Sequence, residues 1–199
     1  MFFSVPPLFA SFLQTIFYGV SLVLPSVAIS ILIVFIKIQN KNIYTDYLTG
    51  VSNRRRLDTY INNKVKMSNS KKSFSAITLD IDDFKIINDT YGHEVGDQAL
   101  INTVKLLRSQ INENDLIGRS GGDEFWVVLD TDSESELSET VKNIQSAFNK
   151  FNKKMEKEYK LKFSYGSGVY DFKQNLSVQE FREKLDKKMY LNKNKTEKN

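Results

Sequence analysis

The sequence predicts an α/β sandwich with a mostly antiparallel central sheet and flanking helices, preceded by an N-terminal transmembrane helix. Three observations predict it. Residues 1–36 contain no Asp, Glu, Lys or Arg, and all 28 basic and 24 acidic residues lie beyond them. Past that point the hydrophobic period alternates between helical and extended, in the order α-β-α-β-β-α-β-α. The only prolines, Pro6, Pro7 and Pro25, precede this body, so no proline interrupts it. A chain of 199 residues holds one ordinary domain plus an appendage and excludes two full ones. Hydrophobic residues at 41% and charged residues at 26% exclude a disordered or collagenous chain. The absence of cysteine excludes disulfides, a thiolate nucleophile and a cysteine zinc site, and leaves the redox compartment open.

The first element runs from Thr15 to Ile36 and ends IFYGVSLVLPSVAISILIVFI. About 20 helical residues cross a hydrocarbon core of roughly 30 Å, so this run reads as an uncleaved anchor occupying residues 1–40. A cleaved signal peptide fits worse, because no basic residue precedes the run and the run is too long. Pro25 kinks the span or, alternatively, turns a shallow hairpin that does not cross. Ser26 and Ser30 form a small-xxx-small pattern through which two such helices could meet. Lys37, Lys41, Arg54, Arg55 and Arg56 all follow the apolar run, which places the remainder, residues 41–199, in the cytoplasm beneath the inner membrane, on a single-pass anchor. The net charge of +4 gathers in this juxtamembrane stretch and in the lysine-rich tail, which favours attraction to anionic lipid over nucleic acid.

Within the body, Leu57, Tyr60, Ile61 and Val65 mark one face of a helix over 53–67. FSAITLDI, residues 74–81, reads as a buried strand. Ala99, Leu100, Thr103, Val104, Leu107 and Ile111 give a second helix over 96–111, and DLIGRSGGDEFWVVLD reads as a hairpin with Gly121 and Gly122 at its bend. Leu137, Val141, Ile144, Phe148, Phe151 and Met155 recur at helical spacing; 161–170 forms another strand; Val178, Phe181, Leu185 and Met189 mark a last helix. Trp126 reads as an ordinary core aromatic.

Asp80, Asp82 and Asp83 close the first long strand, and Asp123 and Glu124 follow the Gly-Gly bend of the hairpin expected beside it. Two carboxylates on adjacent strands suit Mg²⁺ while leaving coordination positions for phosphate oxygens. Gly121 and Gly122, lacking Cβ atoms, let a nucleotide approach the backbone. The same residues also fit a plain solvated hairpin in which the glycines supply positive φ and the acids keep a sheet edge soluble.

The string GGDEF at 121–125 resembles the name-giving signature of the GGDEF family of diguanylate cyclases. DYLTGVSNRR (46–55) is similar to the family's opening motif, LDIDDFKIINDTYGHEVGDQAL (79–100) to its second block and GRSGGDEF to its third, in matching order over about residues 45–193. The resemblance implies a fold like the palm of nucleotidyl cyclases and polymerases. It implies that Asp80, Asp123 and the Ile81 carbonyl bind Mg²⁺, or Mn²⁺ in its place; that Lys85 stabilises the transition state; and that Asn88 and Asp97 read guanine. His93 aligns with a substrate contact, with a surface-structural histidine as the alternative. Gly121, Gly122 and Lys193 align with substrate-binding positions, Asp123 with the acceptor of the 3′-hydroxyl proton, and Glu124 could share that work. The implied reaction condenses two GTP molecules to cyclic di-GMP and two pyrophosphates across a homodimer, in a membrane-anchored enzyme with lipid as a further partner and no nucleic acid expected.

Two places depart from the family. Its product-inhibition motif RxxD reads Asn112-Glu113-Asn114-Asp115 here, and asparagine cannot make the bidentate contact of a guanidinium, so weak feedback inhibition is expected. At the carboxyl end, Thr196 and Glu197 replace the family's glycine and arginine, and Glu197 would repel phosphate. The alternative to an active cyclase is a catalytically poor domain that holds GTP and acts as a regulatory module. A scaffolding or nucleic-acid-binding membrane protein has only the basic composition in its favour.

Overall fold

The structure is a computed structural model that describes residues 5–17, 19, 21–69, 72–154 and 159–196, with the side chains of 37–42 and 194–196 outside that description. Met155 and Glu197, named above, therefore lie outside the described residues. The chain divides into two compact units between Tyr44 and Thr45.

The first unit holds α1 (Val5–Ile16) and α2 (Val23–Tyr44). The single helix expected over 15–36 is thus broken, and the break is not at Pro25. Gly19, between the two helices, takes φ +95°, a conformation that side-chain-bearing residues avoid. Pro25 instead sits third in α2, where a missing N–H forfeits no helix bond. No helix among the described residues is long and apolar enough to cross a membrane, which overturns the expected spanning segment. Where α1 and α2 pack together the buried residues are small: Ala10, Ser26 and Ser30. Ser26 Oγ donates to the Val23 carbonyl at 2.7 Å and Ser30 Oγ to the Ser26 carbonyl at 2.9 Å, so both hydroxyls are satisfied within α2. Already buried in one copy, these serines are not free to join two copies. Large apolar side chains point outward, with Leu8 at 69%, Phe12 at 63% and Leu24 at 74% exposure.

The second unit is a five-stranded sheet between helices. Its elements are β1 (Ser52–Asn53), α3 (Arg54–Met67), β2 (Ser75–Ile81), α4 (Phe84–Tyr91), α5 (His93–Arg108), β3 (Leu116–Arg119), β4 (Glu124–Leu129), α6 (Glu134–Lys154), β5 (Phe163–Val169), a 3-10 turn at Phe172–Gln174, and α7 (Val178–Thr196). The strand order is β1-β3-β4-β2-β5, antiparallel throughout except for the parallel pair β1 and β3. The mostly antiparallel sandwich stands; the two-residue β1 is too short for a period-two pattern to announce. Asn53 ends that strand and caps α3, its side chain accepting from the Arg56 amide at 3.1 Å.

The period of two along β2 and β4 divides the core. Ile77, Leu79, Ile81, Phe125, Val127 and Leu129 face Ala99, Leu100, Leu137, Val141, Ile144 and Phe148 of α5 and α6. Ala76, Trp126 and Val128 face Leu57 and Ile61 of α3 and Phe181 and Leu185 of α7. Burying each such leucine or phenylalanine contributes about 1.5–3 kcal/mol, enough to hold both layers on the sheet. On the α7 side Phe74 stacks on Tyr170 at 5.1 Å, and Phe181 meets both edge-on at 5.7 and 5.4 Å. Trp126 is a core aromatic, with the Arg182 guanidinium 5.3 Å over its ring. By the same alternation Asp80 and Glu124 belong to the α3 and α7 face, at the end of the sheet where β2 stops.

Candidate active site

Strand register brings the acidic residues together. Asp80 pairs with Glu124 across β2 and β4, and the Ile81 amide donates to the Asp123 carbonyl at 3.3 Å, so Asp123 lies against the end of β2. Burial pushes the Asp123 carboxyl above the ordinary range, and the negative charges of Asp80 and Glu124 push it the same way. Such mutual repulsion is relieved by a cation. Among the described residues no three His, Cys, Asp or Glu side chains converge as a metal cage.

A cation does stand among these acids: Lys193, from the end of α7, places its Nζ 2.9 Å from Asp80 Oδ1. The hydrogen bond to Asp80 raises the lysine's affinity for its proton, partly opposed by burial and reinforced by the charges of Asp80, Asp82 and Asp123. Hard, anionic oxygen donors that hold an ammonium in this way also suit a divalent ion. Asp82, behind them, is pushed up by burial even though Ser164 Oγ donates to it at 2.7 Å and Lys193 lies near.

The bend between β3 and β4 is formed by Ser120, Gly121, Gly122 and Asp123. Neither glycine takes a positive φ, so the plain-hairpin explanation of the pair does not hold. What they provide is space: a Cβ on Gly122 would meet nothing within 4 Å, and one on Gly121 would come within 3.1 Å of Glu124 Oε2. Ser120 Oγ donates to that same Glu124 oxygen at 3.3 Å. The bend is held from behind by Arg119. Its Nε and Nη2 donate to the carbonyls of Gly121 and Gly122 at 2.6–3.2 Å, while Nη1 reaches both oxygens of Asp46 at 3.1 and 3.2 Å. Asp46 also accepts from the Thr49 amide at 2.9 Å and hydroxyl at 2.6 Å. Burial would raise the Asp46 carboxyl, but Thr49 and Arg119 outweigh it and leave it below the ordinary range.

On the other side of β2 the chain enters α4 through Asp83, which holds φ 57° and forms no side-chain cap. Lys85 follows in the exposed first turn. Asn88 of α4 rests on Gly96 of α5, where a Cβ would lie 1.9 Å from Asn88 Oδ1. Asp97 is the next residue, and His93 is exposed at the start of the same helix. Asn88 and Asp97 thus occupy adjoining helices. Sequence reasoning missed Gly96, Asp46, Arg119 and Ser164. The first three lie inside the matched motifs, which was the available signal; Ser164 gave none.

Asp115 is buried. One carboxylate oxygen accepts the Asn112 amide at 2.9 Å and the other the Asp130 amide at 3.0 Å, so it fastens two backbone segments together.

The model of the family described as "Diguanylate cyclase, GGDEF domain" matches residues 43–199. Among curated proteins, the chain is 40% identical over 95 residues to the probable diguanylate cyclase DgcC of Escherichia coli K12, covering 47% of this chain and 26% of that protein. It is 29% identical over 158 residues to the diguanylate cyclase DosC of Shigella sonnei, covering 79% and 34%. The chain therefore spans only 26% to 34% of the length of these two relatives. Among solved structures, the coiled coil and GGDEF domain of DgcB from Caulobacter crescentus, in complex with c-di-GMP, superposes with a TM-score of 0.77 at 21% identity, over 85% of this chain and 91% of that one. A microbial GGDEF domain characterised for its interaction with cyclic di-GMP superposes at 0.67 with 29% identity, over 78% and 93%.

Proposed function

The chain belongs to the GGDEF family of diguanylate cyclases, and on that premise we propose that it condenses two GTP molecules into cyclic di-GMP with release of two pyrophosphates. The observation that carries this reading is the meeting of Asp80 and Asp123 at the end of β2, beside a glycine bend that leaves the approach open.

Each 3′-hydroxyl oxygen attacks the α-phosphorus of the other nucleotide. A new P–O bond forms, the bond to the bridging oxygen breaks, and pyrophosphate leaves with that electron pair. Asp123 takes the hydroxyl proton, with Glu124 next to it. Asp80, Asp123 and the Ile81 carbonyl would hold Mg²⁺ or Mn²⁺, which supplies Lewis-acid stabilisation of phosphate charge. Lys85 and Lys193 neutralise the phosphates, and Gly121 and Gly122 form the floor beneath the substrate. Asn88 and Asp97 select guanine because a carboxylate accepts from N1–H and N2–H together, a donor pair that adenine lacks. His93, exposed one turn ahead of Asp97, contacts the substrate. Because each active site supplies half of the reaction, two copies of this chain must face each other. Asn112 and Asp115 do not form a product-inhibition site, since asparagine stands where the motif has its arginine and each Asp115 carboxylate oxygen already accepts a backbone amide.

We also place the protein at the cytoplasmic face of the inner membrane. Support comes from the inverted character of α1 and α2, small residues between them and large apolar ones outward, followed by basic residues. Lipid contact of this kind needs no crossing helix.

Product formation from GTP against ATP tests the activity. GTP should yield cyclic di-GMP and ATP should yield nothing. Conversion of ATP at a comparable rate, or full turnover by a protein that stays monomeric in sedimentation at assay concentration, contradicts the reading. Flotation of the full chain with vesicles containing anionic lipid tests the location.

A further inference from the structure

We propose that Lys193 is a resident cation that competes with the divalent ion for Asp80, so that metal binds well only once GTP phosphates have drawn the lysine away. The inference deepens the reading of Asp80 as a metal ligand and rests on it.

The scaffold aims this lysine. Gly166 on β5 lets α7 lie directly on the sheet, for a Cβ there would stand 2.0 Å from the Leu185 carbonyl oxygen. Lys188 Nζ donates to the Ser167 carbonyl at 2.7 Å, and Asn192 Nδ2 to the Tyr165 carbonyl at 2.8 Å. Tyr165 pairs with Leu79, the neighbour of Asp80, so the residue preceding Lys193 is tied to the strand position next to the carboxylate. The ammonium then sits on Asp80 at 2.9 Å, within reach of the charges of Asp82 and Asp123.

An ammonium there satisfies the oxygen that a metal needs and adds repulsion against an arriving dication. Yet the lysine is not locked in place. Its side chain is 41% exposed against 19% for Asp80, and a four-carbon stem can swing outward while its Cα stays fixed. A triphosphate offers it stronger anionic partners than one carboxylate. Nucleotide and metal are therefore coupled through the lysine, and by linkage each raises the affinity for the other.

The test is Mn²⁺ binding to the full chain in detergent, followed by the electron paramagnetic resonance of the free ion, with and without a non-hydrolysable GTP analogue. Without nucleotide, Lys193→Met should bind Mn²⁺ about ten-fold more tightly than wild type, one lysine charge being worth about that much in a partly exposed cluster. Lys193→Gln should do the same, and Lys193→Arg should stay near wild type. The analogue should enhance Mn²⁺ binding less in Lys193→Met than in wild type. Equal or weaker Mn²⁺ binding by both Lys193→Met and Lys193→Gln overturns the competition while leaving the metal site standing. Absence of Mn²⁺ binding in every protein, even with the analogue, overturns the metal site and the competition with it.

Discussion

Arg119 and Asp46, 73 residues apart, are joined by hydrogen bonds of 3.1 and 3.2 Å, and the same guanidinium grips the carbonyls of Gly121 and Gly122. The opening motif of the domain thereby sets the position of the signature bend. Both side chains are mostly buried, and charge-assisted bonds of this kind contribute on the order of 1.5–3 kcal/mol each when no water competes. Arg119→Lys keeps the charge but loses the fork, so the bend should drift and kcat for cyclic di-GMP should fall about ten- to a hundred-fold, with a smaller change in KM. Steady-state kinetics on the purified variant checks this.

The same pair gives a pH dependence of stability. Asp46 has a folded-state pKa below its ordinary value of 3.8, so its contribution is fully present above that value and is lost as pH falls through the lower, folded pKa. Asp46→Asn should therefore be less stable than wild type at neutral pH, and the gap should close below about pH 4. Urea unfolding at a series of pH values measures it; a gap of constant size would contradict the assignment.

Gly96 supports Asn88 by leaving room for its amide. Gly96→Ala should fold, since the obstructed atom ends a short movable side chain, but it should displace Asn88 and raise KM for GTP several-fold with a smaller effect on kcat. Unchanged KM would separate Asn88 from guanine recognition.

Gly166→Ala meets backbone instead, the Leu185 carbonyl oxygen at 2.0 Å. Overpacking against a rigid partner costs about 1–3 kcal/mol, and Tm should fall by several degrees. Thermal unfolding reads this directly.

Much of this architecture was legible because chemistry and periodicity agreed locally. Ile77, Leu79 and Ile81 alternate with Ala76, Thr78 and Asp80, so the strand, its two faces and the placement of an acid at its end follow from residues 74–81 alone. The break in the apolar run was not legible. Hydropathy reports which residues avoid water, and residues 17–22 avoid it as well as their neighbours do, while the positive φ of Gly19 between the two helices leaves no mark in it. Arg119 and Asp46 each lie in a recognised motif, but their pairing is not legible, because it depends on how distant segments dock. Asp115 sits at the inhibitory position of the motif, yet only its burial reveals that its oxygens serve the Asn112 and Asp130 amides.

The most direct measurement is the conversion of GTP in Mg²⁺ by the full chain, resolved chromatographically, for wild type and Asp123→Ala. Wild type should produce one cyclic di-GMP for every two GTP consumed, and Asp123→Ala should bind GTP but form product at least a hundred-fold more slowly. Equal product from both proteins, or GTP held by wild type at high concentration without any conversion, would contradict the account.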